Sequence, residues 1–505
     1  MSKYILSVDL GTTALKLALI DSSGVSITGA TREYDLITPR PGYVECSPDT
    51  YWNAFKDAVH HIVRNSGVNP EDICALGISA QGETLLFMDE IGRPLTNAIV
   101  WMDGRAQRES RMLAEKFSDE TCYRVTGQIK FDPCWPASKI LWMKHHCKEV
   151  FDKTAKFLLI EDWLIYRLTD KLVSEGSLLC STAYWDINTK GWWKEMLDYL
   201  EISEDQLPKI MEPGQKVAKL SEKVAKELGL SKNLWVCTGA LDQAAGAIGV
   251  GNIKEGIFSE NIGAALAICA PINTPKFDPN GLMPLHYFGI PDMYMLHTFT
   301  TGGMTLRWFR DCFCQEEQTI SRLTDEDAYN YMTMEAMLIE PGSEGLLALP
   351  HLNGSMAPDI NPKAKGVFYG FTLAHKKPHF IRAFMESVGY VIRRNIEALE
   401  HAGVQVTEIR SLGGGSKSVL WNQIKADITG KNLCTSNTKE AACLGAAILA
   451  GNAVGMFDSV EEACERMVSV KRKYMPIMEN EEVYADGYAK FKKLFADLTS
   501  MFNEA

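Results

Sequence analysis

The chain has 505 residues, 46% hydrophobic and 23% charged, with 52 Lys+Arg against 64 Asp+Glu and a formal charge of −12. This composition excludes disordered and fibrous classes and asks for more than one hydrophobic core. The net acidity, with basic residues scattered along the chain, argues against a nucleic-acid partner.

The N-terminus meets Asp9 after only a few apolar residues, and no apolar run reaches the ~18–20 residues of a spanning helix. Neither signal peptide nor membrane anchor is therefore expected, and the expected location is cytoplasmic. The 13 cysteines lack CxxC pairs and read as reduced thiols.

In chain order, Leu6 to Asp9 reads as a strand that brings a carboxylate to its end. Gly11 makes the turn and Leu15 to Ile20 returns. A helix is predicted from Pro48 through Ile62, with Asp49 and Thr50 as capping candidates. Ala75 to Ser79 is a strand, followed by polar Gln81, Glu83 and Thr84, and later by Trp101-Met102-Asp103-Gly104-Arg105. Leu234 to Thr238 is a buried-type strand, after which Asp242 opens a small-residue helix from Gln243 to Ile248. A second hairpin turns at Gly263, a long helix spans Phe380 to Leu399, and Gly413-Gly414-Gly415-Ser416 precedes a shorter helix from Trp421 to Ile428. The tail from Tyr484 to Phe502 reads as amphipathic helix.

The chain also repeats itself. Residues 6–13 align with residues 258–265 without a gap, and Asp72 to Ala80 matches Glu408 to Ser416. Two similar α/β halves are predicted, residues 1–248 and 249–505.

Phosphate chemistry is suggested without a P-loop or a dinucleotide fingerprint, since neither motif is complete. The turn Asp9-Leu10-Gly11-Thr12-Thr13, its mirror at Gly263 and the Gly413–Ser416 run offer backbone N–H groups to phosphate. Asp242, just past a strand end, is the candidate proton acceptor, with a helix N-cap as the plainer alternative. Glu83, Trp101, Asp103 and Arg105 could serve a sugar, although an Asp103–Arg105 contact of purely structural purpose fits the same residues.

The ordered set of motifs resembles the FGGY carbohydrate kinases along almost the whole chain. It comprises Asp9-Leu-Gly-Thr-Thr13, Pro41-Gly-Tyr-Val-Glu45, Asn97-Ala-Ile-Val-Trp-Met-Asp-Gly-Arg105, Pro136-x-x-Lys139-Ile-Leu-Trp142, Gly239-Ala-Leu-Asp-Gln243, Gly366-x-Phe-x-Gly370 and Gly413-Gly-Gly-Ser416. The resemblance implies two actin-like, ribonuclease-H-like domains with an active-site cleft between them, ATP and Mg²⁺ as cofactors, and a sugar or polyol as partner. It allows for a homodimer.

It further implies Asp242 as general base, with Asp9 and Asp242 near the metal and Gln81, Glu83, Trp101, Asp103 and Gln243 at the sugar. Gly11, Thr12, Thr13, Lys16, Gly263, Ala264, Gly302, Gly414, Gly415 and Ser418 would lie along ATP.

Two departures stand out. Gly263-Ala264-Ala265 occupies the place where the family usually shows Gly-Thr-Ser or Gly-Thr-Gly. Gln81-Gly82-Glu83-Thr84 keeps the glutamate of glycerol kinases without their arginine, and Cys134 stands where they tend to have Tyr. A roomier site facing a glutamate favours a neutral ketose, with xylulose or another pentulose first. Glycerol, tetrulose or gluconate, and a sugar-binding pseudokinase or nucleotide switch, are the alternatives.

Overall fold

The computed structural model describes residues 3–504. β1 (Tyr4–Leu10), β2 (Ala14–Asp21) and β3 (Ser26–Glu33) form an antiparallel meander. On the other side of β1 lies β4 (Ile73–Ala80), parallel to it. The pair β5 (Lys216–Lys219) and β6 (Trp235–Cys237) follows, β6 parallel beside β4 and β5 antiparallel at the edge. A short β7 (Ala240–Leu241) pairs with the end of β4. The central strands β1 and β4 are covered on both faces, which is why they read as almost unbroken apolar runs.

The second sheet contains β8 (Ile257–Ile262), β9 (Ala265–Ile272), β10 (Leu285–Tyr287), β11 (Tyr294–Thr301), β12 (Glu408–Gly413), β13 (Asn432–Ser436) and β14 (Val470–Tyr474). Its order is β10-β11-β9-β8-β12-β13-β14. Within it, β11-β9-β8-β12-β13 repeats the order and strand directions of β3-β2-β1-β4-β6. The edge strands differ in origin, because β5 precedes β6 in the chain whereas β14 follows β13.

The ladders refine the repeat. Ser7 pairs with Gly77 and Ser259 with Arg410, so Gly77 corresponds to Arg410. The match of Asp72–Ala80 to Glu408–Ser416 finds the right strands but slips by three residues, since it superposes glycines with different tasks. Gly77 lies mid-strand, where a Cβ would meet the Ala446 carbonyl at 2.2 Å, while Gly413 ends its strand at φ +78°. The gapless alignment of the hairpins also stops at the turn: Leu10 pairs with Leu15, but Ile262 pairs with Leu266. The second hairpin is one residue shorter.

Six helices bear on the sheets and the junction of the halves. α1 (Pro48–Asn65) has Pro at its start, Asp49 in its first turn, and buries Tyr51, Trp52, Phe55, Val59 and Ile62 against the first sheet. α2 (Asp242–Gly249) follows β7, and α3 (Lys377–His401) supports the second sheet. α4 (Val419–Thr429) is capped by Ser418, whose hydroxyl accepts from the Trp421 amide at 3.2 Å. α5 (Ala441–Ala453) follows β13, and α6 (Glu481–Glu504) closes the second half.

α2 and α5 cross where the halves meet, and α5 lies directly on β1 and β4 of the first sheet. A Cβ on Gly249 would stand 1.9 Å from the Ala441 carbonyl oxygen, and one on Gly445 would stand 1.8 Å from that of Ala245. Each helix thus offers an alanine carbonyl and, four residues on, a glycine that receives the other helix. The small-residue composition of both segments follows from this contact, because any side chain at either glycine would push the helices apart. Around it Ile5, Ala75, Ile248, Met295, Leu444 and Ile448 share one apolar cluster drawn from both halves.

Gly445→Ala is accordingly expected to destabilise the protein by ~1–3 kcal/mol, read as a lower urea midpoint. Gly263→Ala, with nothing within 4 Å of the added Cβ, should shift the midpoint by less than ~0.5 kcal/mol.

Candidate active site

A cavity of about 390 Å³ opens between the halves. Thr12, Gln81, Glu83, Trp101, Asp242 and Gln243 line it from the first half, and residues of β11 and of the segment near residue 357 line it from the second.

Asp242 is the first residue of α2, with Leu241 at the N-cap and no side-chain cap. The segment leading to it is held at two amides. Gly239 donates to Glu161 Oε1 at 2.7 Å, and Leu241 donates to Ser177 Oγ at 2.9 Å, which in turn donates to Glu175 Oε1 at 2.6 Å. Gly239 admits no Cβ, since one would lie 1.6 Å from the Ile78 carbonyl oxygen. Burial, reinforced by the charges of Asp9 and Glu83, pushes the Asp242 carboxyl up to about 7.

Asp9, the last residue but one of β1, accepts from Ser79 Oγ at 2.9 Å on the neighbouring β4. Burial raises its pKa, against the pull of the Ser79 hydroxyl and of Lys16. Glu83 sits at φ +53°, a left-handed conformation unusual for a side chain of its size. Its carbonyl accepts from Lys139 Nζ at 2.9 Å, and the same ammonium donates to the Val100 carbonyl at 3.1 Å. Burial lowers Lys139 to about 8 and raises the Glu83 carboxyl, the latter opposed by the Ser181 hydroxyl. The strained turn is therefore tied down from beneath by a fully buried lysine.

Above this cluster stand the hairpin turns. The amides of Thr12, Thr13 and Ala264 have no hydrogen-bond partner among the described residues. The Gly263 amide, expected to face phosphate like those of Thr12 and Thr13, is instead spent on the Ala265 carbonyl at 2.9 Å, just as the Gly11 amide of the first hairpin is spent on the Ala14 carbonyl at 3.1 Å. Gly303 and Met304 donate back to the carbonyls of Gly263 and Ala264. Gly302 allows that approach, since its Cβ would lie 2.5 Å from Ala265.

Gly413 and Gly414 are exposed at the end of β12, whereas Gly415 is buried against Ile262. Ser418 caps α4 and also approaches the Thr333 hydroxyl at 3.4 Å. Lys16, directly across from Asp9 on β2, is ion-paired with Glu440 at 2.7 Å and faces a different groove lined by residues 437–440.

Trp101 donates its indole N–H to Thr12 Oγ1 at 2.8 Å, which couples the aromatic wall of the cavity to the first hairpin. Gln81 gives its amide nitrogen to the Gly11 carbonyl and the Tyr51 hydroxyl, both at 3.2 Å, while its buried Oε1 has no partner among the described residues. Asp103 does not line the cavity. Its carboxylate takes the Val44 amide at 2.5 Å, the Arg105 amide at 2.9 Å and the Arg105 guanidinium at 2.8 Å, so it braces the wall from behind.

Residues that the sequence reading did not single out complete the lining: Gln128, Asp132, His286, His297 and Phe299. They sit on a connecting loop or on β10 and β11, segments that carry no motif.

Asp9 and Asp242 present two hard carboxylate donors whose charges repel each other in a buried setting. That donor set suits a Mg²⁺ ion. The unpartnered hairpin amides and the exposed glycines of residues 413–414 suit a nucleoside triphosphate.

Residues 4–249 match the FGGY family of carbohydrate kinases, N-terminal domain, and residues 272–454 match the C-terminal domain of that family. The chain is 30% identical to a xylulose kinase of Bacillus subtilis, covering 98% of this chain and 97% of that one. It is 31% identical to a gluconokinase of the same organism, covering 96% and 94%. The crystal structure of a gluconate kinase from Lactobacillus acidophilus superposes with TM-score 0.90 at 27% identity over the full length of both chains. Two actin-like domains flanking a polar cleft define a sugar kinase. The chain belongs to the FGGY family of carbohydrate kinases.

A carboxyl whose folded pKa lies above its ordinary 3.8 binds more protons folded than unfolded between that value and about 7. Stability therefore falls as pH rises through this window and stays lower above it. Asp242→Asn should remove that cost, unfolding in urea with roughly 2–4 kcal/mol more stability than wild type at pH 8 and little difference near pH 4. A gain independent of pH would contradict the raised pKa.

Proposed function

We propose that the protein transfers the γ-phosphate of ATP to a hydroxyl of a neutral ketose, with xylulose or a related pentulose as the leading substrate. Residues 1–248 would carry the sugar and the base, and residues 249–505 the adenosine. The observation that carries this reading is the pair of carboxylates Glu83 and Asp242 lining one cavity, with Asp9 close enough to raise Asp242 further, together with Thr12, which also lines it and whose amide has no partner among the described residues.

A carboxyl pushed up to about 7 is matched to general-base work. Its carboxylate accepts the proton of the sugar hydroxyl. The hydroxyl oxygen bonds to the γ-phosphorus as the bond from that phosphorus to the β,γ-bridging oxygen breaks, and ADP leaves. The amides of Thr12, Thr13 and Ala264 donate to the charge gathering on the phosphoryl oxygens. Asp9 and Asp242 would hold Mg²⁺, which when bound neutralises triphosphate charge. With Ala264 and Ala265 in the second hairpin there is no hydroxyl to add to those amides, so transfer is expected to be slower than in a hairpin carrying Thr.

The polarity of the cavity supports an uncharged substrate. Its donors are largely consumed inside the protein, by Thr12, by the Gly11 carbonyl and by Tyr51, whereas Glu83, Asp132, Asp242 and the Gln81 oxygen are acceptors. The lining cation, Lys130, stands 3.7 Å from Asp132. Hydroxyl groups satisfy such a wall by donating, while a sugar-acid carboxylate would face like charge. This favours the xylulose side of the family over gluconate.

The test is coupled ADP release with Mg·ATP across ketopentoses, tetruloses, polyols, glycerol and gluconate. A neutral ketose should raise turnover well above the basal rate, and Asp242→Asn should lower kcat by roughly 10²–10⁴-fold with the KM for ATP little changed. Turnover with gluconate in preference to every neutral sugar would overturn the substrate assignment.

A further inference from the structure

Two histidines of the second half reach the cavity, and their nitrogens are used differently. His286, on β10, has both engaged across the interface: Nδ1 lies 3.3 Å from Cys180 Sγ and Nε2 lies 3.4 Å from the Gln128 amide nitrogen. Gln128 Nε2 also donates to the Cys180 carbonyl at 3.2 Å. Nothing on His286 is left for a ligand.

His297, on β11, stands edge-to-face with His286 at 5.1 Å between ring centroids. Its Nδ1 is 2.7 Å from the Ile268 carbonyl, a group that only accepts, so Nδ1 carries the proton. Burial lowers the His297 pKa and keeps the ring neutral. Nε2 is thus a bare lone pair with no partner among the described residues, on a side chain that lines the cavity. The ring is also close to the catalytic helix, because Cys269 Sγ lies 3.6 Å from Nδ1 and 3.7 Å from the Gln243 carbonyl.

We propose that His297 Nε2 accepts a hydrogen bond from a hydroxyl of the sugar, which makes His297 a specificity-determining residue supplied by the second domain. His286 positions it, held by the first domain through Gln128 and Cys180. Sugar recognition is then shared by the two domains, and the sugar site is complete only when the His286 contacts across the interface are made. The acceptor adds to the carboxylates opposite and selects a ligand that presents donors at both ends, a polyhydroxylated neutral sugar. This inference rests on the sugar-kinase reading of the same site.

The experiment takes the best substrate of wild type and compares wild type, His297→Phe and His297→Gln on that sugar and on its single-deoxy analogues. His297→Phe should raise the KM for the sugar about ten-fold, the effect of one lost hydrogen bond, and leave the KM for ATP unchanged. His297→Gln, which offers a carbonyl at nearly the same reach, should stay within about three-fold of wild type. For one deoxy analogue the wild-type and His297→Phe values should coincide, identifying the hydroxyl that Nε2 receives.

A KM that is unchanged, or that rises equally for every analogue, would overturn the proposal. Should His297→Phe fail to fold, the ¹⁵N shift of Nε2 in wild type decides: it should move on adding sugar, and an unmoved shift overturns the proposal. If no sugar is turned over by wild type the kinase reading itself falls, whereas turnover with an indifferent His297→Phe removes this inference alone.

Discussion

The molecule depends on one contact between two backbones. α2 and α5 cross closely enough that the carbonyls of Ala245 and Ala441 occupy the space of side chains that Gly445 and Gly249 lack. α2 begins with Asp242 and follows the first sheet. α5 belongs to the second half yet lies on β1, whose last residue but one is Asp9, and on β4, which leads into the Gln81–Glu83 turn. Close packing of the two helices brings a carboxylate at the start of one within electrostatic reach of a carboxylate at the end of a strand under the other. A methyl group at the crossing would be felt at the chemistry.

The same compactness produces the electrostatics of the site. Asp9, Glu83 and Asp242 are brought together with little counter-charge, since Lys139 is spent on carbonyls and Lys16 on Glu440. Burial and mutual repulsion raise all three carboxyls and set Asp242 near neutrality. Stability is lost for function, and the cost is borne by buried supports: Lys139 beneath the strained Glu83 turn, and the Glu161 and Ser177 acceptors that fix the amides leading to Asp242.

The hairpins, the strand bearing Asp9, the helix opened by Asp242 and the glycine run were legible because each is a local event. A turn needs Gly, a helix entry needs its first residues, and a buried central strand needs an apolar run, all written within about ten residues of one another. The role of Asp103 was not legible, for a carboxylate two residues from an arginine reads equally as ligand or brace. Only the Val44 amide, from a distant loop, decides for the brace. The Gly263 amide was misread because the sequence does not show which amides a turn uses to close itself, and both hairpins spend that of their glycine, Gly11 on the Ala14 carbonyl and Gly263 on the Ala265 carbonyl.

By itself the sequence determined two duplicated α/β halves, a pair of glycine-turned hairpins, a carboxylate at a strand end and another at a helix start. These follow from periodicity and turn chemistry, which act between near neighbours in the chain. The tertiary structure alone decided which groups share the cavity. His286 and His297 lie on strands with no motif and reach the cavity only because β10 and β11 lie against the first half, where Cys180 and Gln128 engage His286. Such pairings join residues more than a hundred positions apart, and they are set by how the helices α2 and α5 allow the halves to meet.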